Sequence, residues 1–163
     1  MTYNIHPLFV HFPIALLCIY SIIKVLPMQR WLPRIAWKDI ERILLAVGVL
    51  TAFIALSTGE TAEDLIRPDH NLVETHSTFA TISTWLYAAI LIGEIASFLV
   101  VKFNNPLLVF IKRILANEWF SKILAVIALV CLAITGLLGG VMVYGTSADP
   151  FAGIILGILG ISI

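Results

Sequence analysis

The chain reads as an all-α protein: a transmembrane four-helix bundle with both termini outside, an amphipathic helix on the inner surface and a short apolar C-terminal segment. Three observations carry that reading. Of 163 residues, 60% are hydrophobic and 12% charged, against about 45–50% apolar and about 25% charged in a soluble domain. A mean hydropathy of +1.02 makes the bilayer the natural solvent for this surface. Four apolar runs, at about residues 8–26, 43–58, 77–101 and 123–144, are separated by polar connections, so residues 1–163 form one transmembrane domain.

The first run, at about 1.5 Å per residue, spans a hydrocarbon core of about 30 Å. Pro7 suits its first turn, and Pro13 leaves the Phe9 carbonyl without its helical donor, which predicts a kink or a polar partner there. The connections after the first and third runs are short enough to make the flanking helices antiparallel neighbours. The second connection is acidic, with Glu60, Glu63, Asp64, Asp69 and Glu74. In it, Thr61-Ala-Glu-Asp resembles a helix start, Glu63 is placed to pair with Arg67, and Asp69 is placed to cap an extension of the third helix through His70. Asn105-Pro106 is an N-cap followed by a first-turn proline, opening an amphipathic stretch over 107–120. The tail, 150–163, is apolar but too short to span; Gly153, Gly157 and Gly160 suit a half-inserted segment packed on the bundle.

Charge sets the expected sidedness. Nine of the ten basic residues (Lys24, Arg30, Arg34, Lys38, Arg42, Lys102, Lys112, Arg113 and Lys122) fall in the first and third connections, and only Arg67 in the second. By the positive-inside rule, both termini and the second connection face outward, and Trp31, Trp37 and Trp119 form an inner aromatic belt. A formal net charge of zero argues against a nucleic-acid partner. No Lys or Arg precedes the first apolar run, so no cleavable signal peptide is expected. Cys18 and Cys131 lie within apolar runs and are expected to act as small hydrophobes. The sequence contains no glycine-rich phosphate loop, nucleophile elbow or HExxH, and it assigns no catalytic residue.

All four histidines, His6, His11, His70 and His76, belong to the outer side. Imidazole is a usual axial ligand of b-type haem and a frequent ligand of copper and zinc. His11 lies about one turn inside the first helix and His76 heads the third, so these two are expected to face one another at similar depth as the ligands of a haem iron. His6 and His11 are separated by about 140° around a helix, and His70 and His76 by about 120°, so neither pair chelates one metal from a single segment. Cross-helix pairing is expected instead, His11 with His76 and His6 with His70. The competing reading makes His6 and His70 solvated headgroup residues, and His11 and His76 helix-start residues bonded to backbone.

Small residues at this level, namely Gly136, Gly139 and Gly140 with Ala52, Ala55, Ser57 and Gly59, suit either tight helix contact or a flat guest. Ser77, Thr78, Thr81, Ser83 and Thr84 are either hydrogen-bond partners for imidazole or bonded to their own helix. Glu94, about five turns or 27 Å beyond His76, is expected to pair with Lys24 or Lys122 near the inner boundary.

The opening His6-Pro-Leu-Phe-Val-His-Phe-Pro-Ile-Ala-Leu-Leu resembles the HPxxVHFPIAL signature of a bacterial membrane family, domain of unknown function 2231. Ser57-Thr-Gly-Glu-Thr-Ala-Glu-Asp, His76 and Gly139-Gly-Val-Met-Val-Tyr-Gly extend the resemblance over nearly the whole chain. It implies a compact four-helix domain of the prokaryotic inner membrane that binds haem through its histidines. Thr146, where many relatives carry histidine, and the longer tail are departures.

The expected function is therefore a bis-histidine haem b protein that transfers electrons between a membrane carrier such as quinol and a periplasmic partner. A copper- or zinc-binding module using the histidines with Glu60 or Glu74, and a cofactor-free assembly subunit that forms a homo-oligomer through its glycine faces, are the alternatives.

Overall fold

A chain in hydrocarbon must satisfy its backbone N–H and C=O groups internally, and the apolar runs accordingly fold as helices. The structure is a computed structural model that describes residues 6–66, 69–103 and 105–161; the side chains of residues 60, 61, 63–66 and 148 lie outside that description. Among the described residues the helices are α1 (His6–Val25), α2 (Met28–Trp31), α3 (Trp37–Ile66), α4 (His70–Phe103), α5 (Pro106–Leu115), α6 (Glu118–Tyr144) and α7 (Ala152–Leu159), with a 3-10 turn at Thr146–Ala148. No strand occurs among the described residues. Among the described residues, four helices, α1, α3, α4 and α6, are long and apolar enough to cross a membrane.

Helix α1 packs most closely on α3, and α4 on α6; α3 also meets α4, and α1 meets α6. The order around the bundle is α1–α3–α4–α6, with α1 and α4 on one diagonal. The chain thereby makes the same device twice: a long helix, a short helix and a long antiparallel return, first as α1–α2–α3 and again as α4–α5–α6. The sequence carries no visible repeat.

The central core joins Leu17 and Tyr20 of α1, Leu45, Val49 and Ala52 of α3, Tyr87 and Ile90 of α4, and Ala125, Ala128 and Leu132 of α6. Two small-residue contacts fix helix spacing. A Cβ on Gly48 would stand 2.6 Å from Leu17 Cδ2, and one on Gly93 would stand 2.7 Å from the Leu115 carbonyl carbon. Tyr87 Oη and Ser21 Oγ share a hydrogen bond of 2.7 Å inside this core. Large apolar side chains elsewhere on the spans point outward, Phe98 and Val101 being 79% and 86% exposed, as lipid-facing residues do.

Several boundaries differ from the sequence reading. The helices outrun the apolar runs: α3 begins at Trp37 and continues through Thr61 without a new start, because the acidic turn-like stretch has an established helix to extend. Helix α4 begins at His70, where Asp69 Oδ1 accepts from the Leu72 amide at 3.2 Å, the expected cap. The proposed Glu63–Arg67 pair lies outside the described residues. Asn105 caps α5 as expected, accepting from Leu107 N at 2.8 Å. That helix stops at Leu115, however, because Asn117 offers a second cap, accepting from Phe120 N at 3.1 Å, and starts α6. Pro13 is accommodated within a continuous α1. The tail forms α7, whose Ala152 and Leu156 pack on Leu72, Leu138 and Val141.

At the Lys- and Arg-rich end, the nearly buried Lys24 ammonium lies 3.5 Å from Glu41 and 3.9 Å from Glu94. Arg42 reaches Glu94 at 3.3 Å. Glu94 thus makes the expected pairing with Lys24, while Lys122 pairs with Glu118 at 2.8 Å. Cys18 and Cys131 are both free thiols packed in the bundle.

A two-histidine site at one end of the bundle

The histidines occupy the end opposite Lys24, and rotation about the helix axis, rather than depth, decides which of them face inward. His6 opens α1 and turns toward α3, where its Nδ1 lies 3.0 Å from Thr58 Oγ1. The Thr58 hydroxyl proton is committed to the Ala55 carbonyl at 2.9 Å, so the His6 Nδ1–H is the donor and Thr58 the acceptor. The same ring interacts with the Ala55 carbonyl. Gly59 adjoins the imidazole: a Cβ there would sit 3.6 Å from His6 Cε1.

His76 repeats this arrangement in the second half. It lies in the second turn of α4 and donates Nδ1–H to the Thr135 carbonyl of α6 at 3.0 Å. A carbonyl only accepts, so the neutral ring carries its lone pair on Nε2. A Cβ on Gly139 would be 3.3 Å from His76 Cε1, and this glycine makes room for the ring. His6 and His76, from diagonally opposed helices, are close enough for charge on one to act on the other.

The other two histidines lie elsewhere. His11 is exposed, and its Nδ1 bonds the Pro7 carbonyl of its own helix. With His6 turned toward α3, a residue five positions later is rotated by about 140° away from it. His11 thus lies outside this arrangement, and His6 is the histidine whose charge acts on His76. His70 is 83% exposed and lies 4.0 Å from Glu74, an ion pair when the imidazole is protonated.

Sequence reasoning missed Thr58 and Thr135 as the groups that orient the two imidazoles. Of the α4 hydroxyls considered for that role, three bond their own helix instead, Ser77 to Glu74 O at 3.0 Å, Ser83 to Ala80 O at 3.0 Å and Thr84 to Ala80 O at 2.8 Å. Thr58 precedes Gly59 in a motif already singled out, but the role of Thr135 resides in its backbone carbonyl, which leaves no trace in residue type. Of the glycines in α6, Gly139 abuts the site, whereas a Cβ on Gly136 or Gly140 would meet nothing within 4 Å.

Among the described residues, no three His, Cys, Asp or Glu side chains converge as a metal-binding group. The surrounding connection is acidic: Glu60, Glu63, Asp64, Asp69 and Glu74, with Asp149 after α6, stand against Arg67 alone.

Neither the curated proteins nor the solved structures give a significant match to this chain. A sequence profile of predicted membrane proteins, domain of unknown function 2231, matches residues 2–148, which takes in all four spans and both inward-facing histidines. The chain belongs to that family of membrane proteins.

Proposed function

We propose that this membrane protein binds a b-type haem through axial imidazoles from His6 and His76 and transfers single electrons. One observation carries the reading: each half of the bundle contributes one histidine, and each of these donates Nδ1–H to an oxygen of its own returning helix. Such a bond fixes the ring and raises the basicity of the opposite nitrogen, as is usual for imidazoles that ligate metals. A haem brings four equatorial nitrogens of its own and asks the protein for two axial ligands. Copper or zinc held by protein side chains alone needs three or four. With one oriented imidazole from each half and no group of three ligating side chains among the described residues, the donor set fits haem better.

Bound haem would supply one-electron chemistry, and two axial histidines leave no open iron position, which favours electron transfer over oxygen chemistry. Thr58 and the Thr135 carbonyl would hold the rings, and Gly59 and Gly139 would keep side chains away from their edges. With the basic end inside, the site faces the outer side of a prokaryotic plasma membrane. The electrons would then pass between a carrier dissolved in the bilayer, such as quinol, and a periplasmic partner.

A second reading, a divalent copper or zinc site, is favoured by the acidic connection beside His6, whose carboxylates could complete a ligand set. An absorption spectrum of protein purified in detergent distinguishes the two. A Soret band lost in His6→Ala and in His76→Ala, and kept in His11→Ala and His70→Ala, supports haem. Stoichiometric metal without a Soret band supports the alternative.

A further inference from the structure

At the opposite end of the bundle, an open groove of about 470 Å³ lies between α4 and α5, lined by Ser97, Val100, Val109, Lys112, Arg113 and Asn117. Its walls have two characters. Val100 and Val109 are apolar, whereas Lys112 and Arg113, consecutive in the last turn of α5, bring two cations to one edge. Among the described residues, neither cation has an ion pair, although Lys24, Arg42 and Lys122 at the same end are all paired with carboxylates.

The groove is held open by packing. Gly93 lets α4 approach the backbone at Leu115 and Ala116 to the point where a Cβ would be 2.7–2.9 Å away, so α5 is seated firmly at its C-terminal end. From there α5 presents Leu107 and Phe110 outward, 64% and 60% exposed, as a helix lying in the membrane interface does. The end as a whole carries nine Lys and Arg against four carboxylates, Asp39, Glu41, Glu94 and Glu118.

We propose that this groove binds the headgroup of an acidic glycerophospholipid. The phosphate diester would lie against Arg113 and Lys112, and the acyl chains would follow Val100 and Val109 along α4. Guanidinium matches phosphate geometry in a bidentate manner, and an adjacent ammonium adds a point charge. A soluble anion would use only the cationic edge, whereas a lipid uses the apolar wall as well, which is why the occupant is assigned as lipid. The inference is independent of haem binding.

The test is native mass spectrometry of the protein released from nanodiscs containing equal phosphatidylglycerol and phosphatidylcholine. The expected result is selective retention of phosphatidylglycerol, reduced at least about fivefold in Lys112→Gln/Arg113→Gln and preserved in Lys112→Arg/Arg113→Lys. Lys38→Gln, at the same end but outside the groove, is expected to retain it as the unaltered protein does. The proposal is overturned if the double Gln variant keeps its phosphatidylglycerol, if phosphatidylcholine is held equally well, or if millimolar inorganic phosphate displaces the lipid.

Discussion

Replacing Gly93 with alanine tests how α5 is held. The added Cβ would be 2.7 Å from both the carbonyl carbon and Cβ of Leu115 and 2.9 Å from Ala116 N. Carbon atoms pack best at about 3.5–4.0 Å, so α5 must retreat by roughly 1 Å. Two of the three obstructing atoms are backbone, and no rotamer change relieves them. Overpacking of this kind costs about 1–3 kcal/mol. Alanine gains about 1 kcal/mol of helix propensity over glycine, but that gain belongs to α4 and does not help α5 dock.

A docking loss of about 1–2 kcal/mol raises the open population of α5 by a factor of about 5–30. Amide hydrogen exchange reads this locally. Exchange across Pro106–Leu115 should accelerate by that factor in Gly93→Ala, with α1 and α3 unchanged. Gly136→Ala, whose Cβ meets nothing within 4 Å, should accelerate no segment. Unchanged α5 exchange in Gly93→Ala, or acceleration spread evenly through the bundle, would refute this account of the close approach.

Three further outcomes are expected. Lys24→Met strands Glu41 and Glu94; breaking a fully buried pair costs about 3–5 kcal/mol, and because both carboxylates are partly exposed and Arg42 remains on Glu94, a loss of about 1–3 kcal/mol is expected in thermal unfolding in detergent, partly recovered in Lys24→Met/Glu41→Gln. Tyr87→Phe removes the buried bond to Ser21 and should cost about 1 kcal/mol, whereas Tyr20→Phe, whose buried hydroxyl has no partner among the described residues, should be neutral or stabilising; equal losses would contradict this. Thr58→Val removes the acceptor of the His6 Nδ1–H and should weaken haem binding about 10–100-fold in a titration, with the fold intact by circular dichroism.

How much of this was legible in the sequence follows from the physics of each feature. The spans were legible because hydrocarbon imposes a composition and a length, and the caps at Asp69 and Asn105 because each is a local side-chain-to-backbone bond. The end of α5 at Leu115 was not, since two successive Asn caps compete and tertiary packing at Gly93 selects where the turn falls. Which histidines turn inward was hidden as well. Depth placed His11 beside His76, but the face presented by α1 depends on how Leu17 meets Gly48 of α3, a contact between helices. The twofold use of helix, short helix and helix was invisible because the halves share shape without sharing residues. Even so, the motif around His6, Gly59, His76 and Gly139 contained both inward imidazoles and the glycines beside them.

The two-imidazole site is tested most directly by titrating haem into apoprotein in detergent and recording the optical spectrum of the unaltered protein and the four single histidine-to-alanine variants. Saturation at one haem per chain, with a low-spin bis-imidazole spectrum lost in His6→Ala and in His76→Ala and retained in His11→Ala and His70→Ala, is the expected result. A spectrum that survives loss of His6 and disappears with His11, or no saturable haem binding by the unaltered protein, would contradict it.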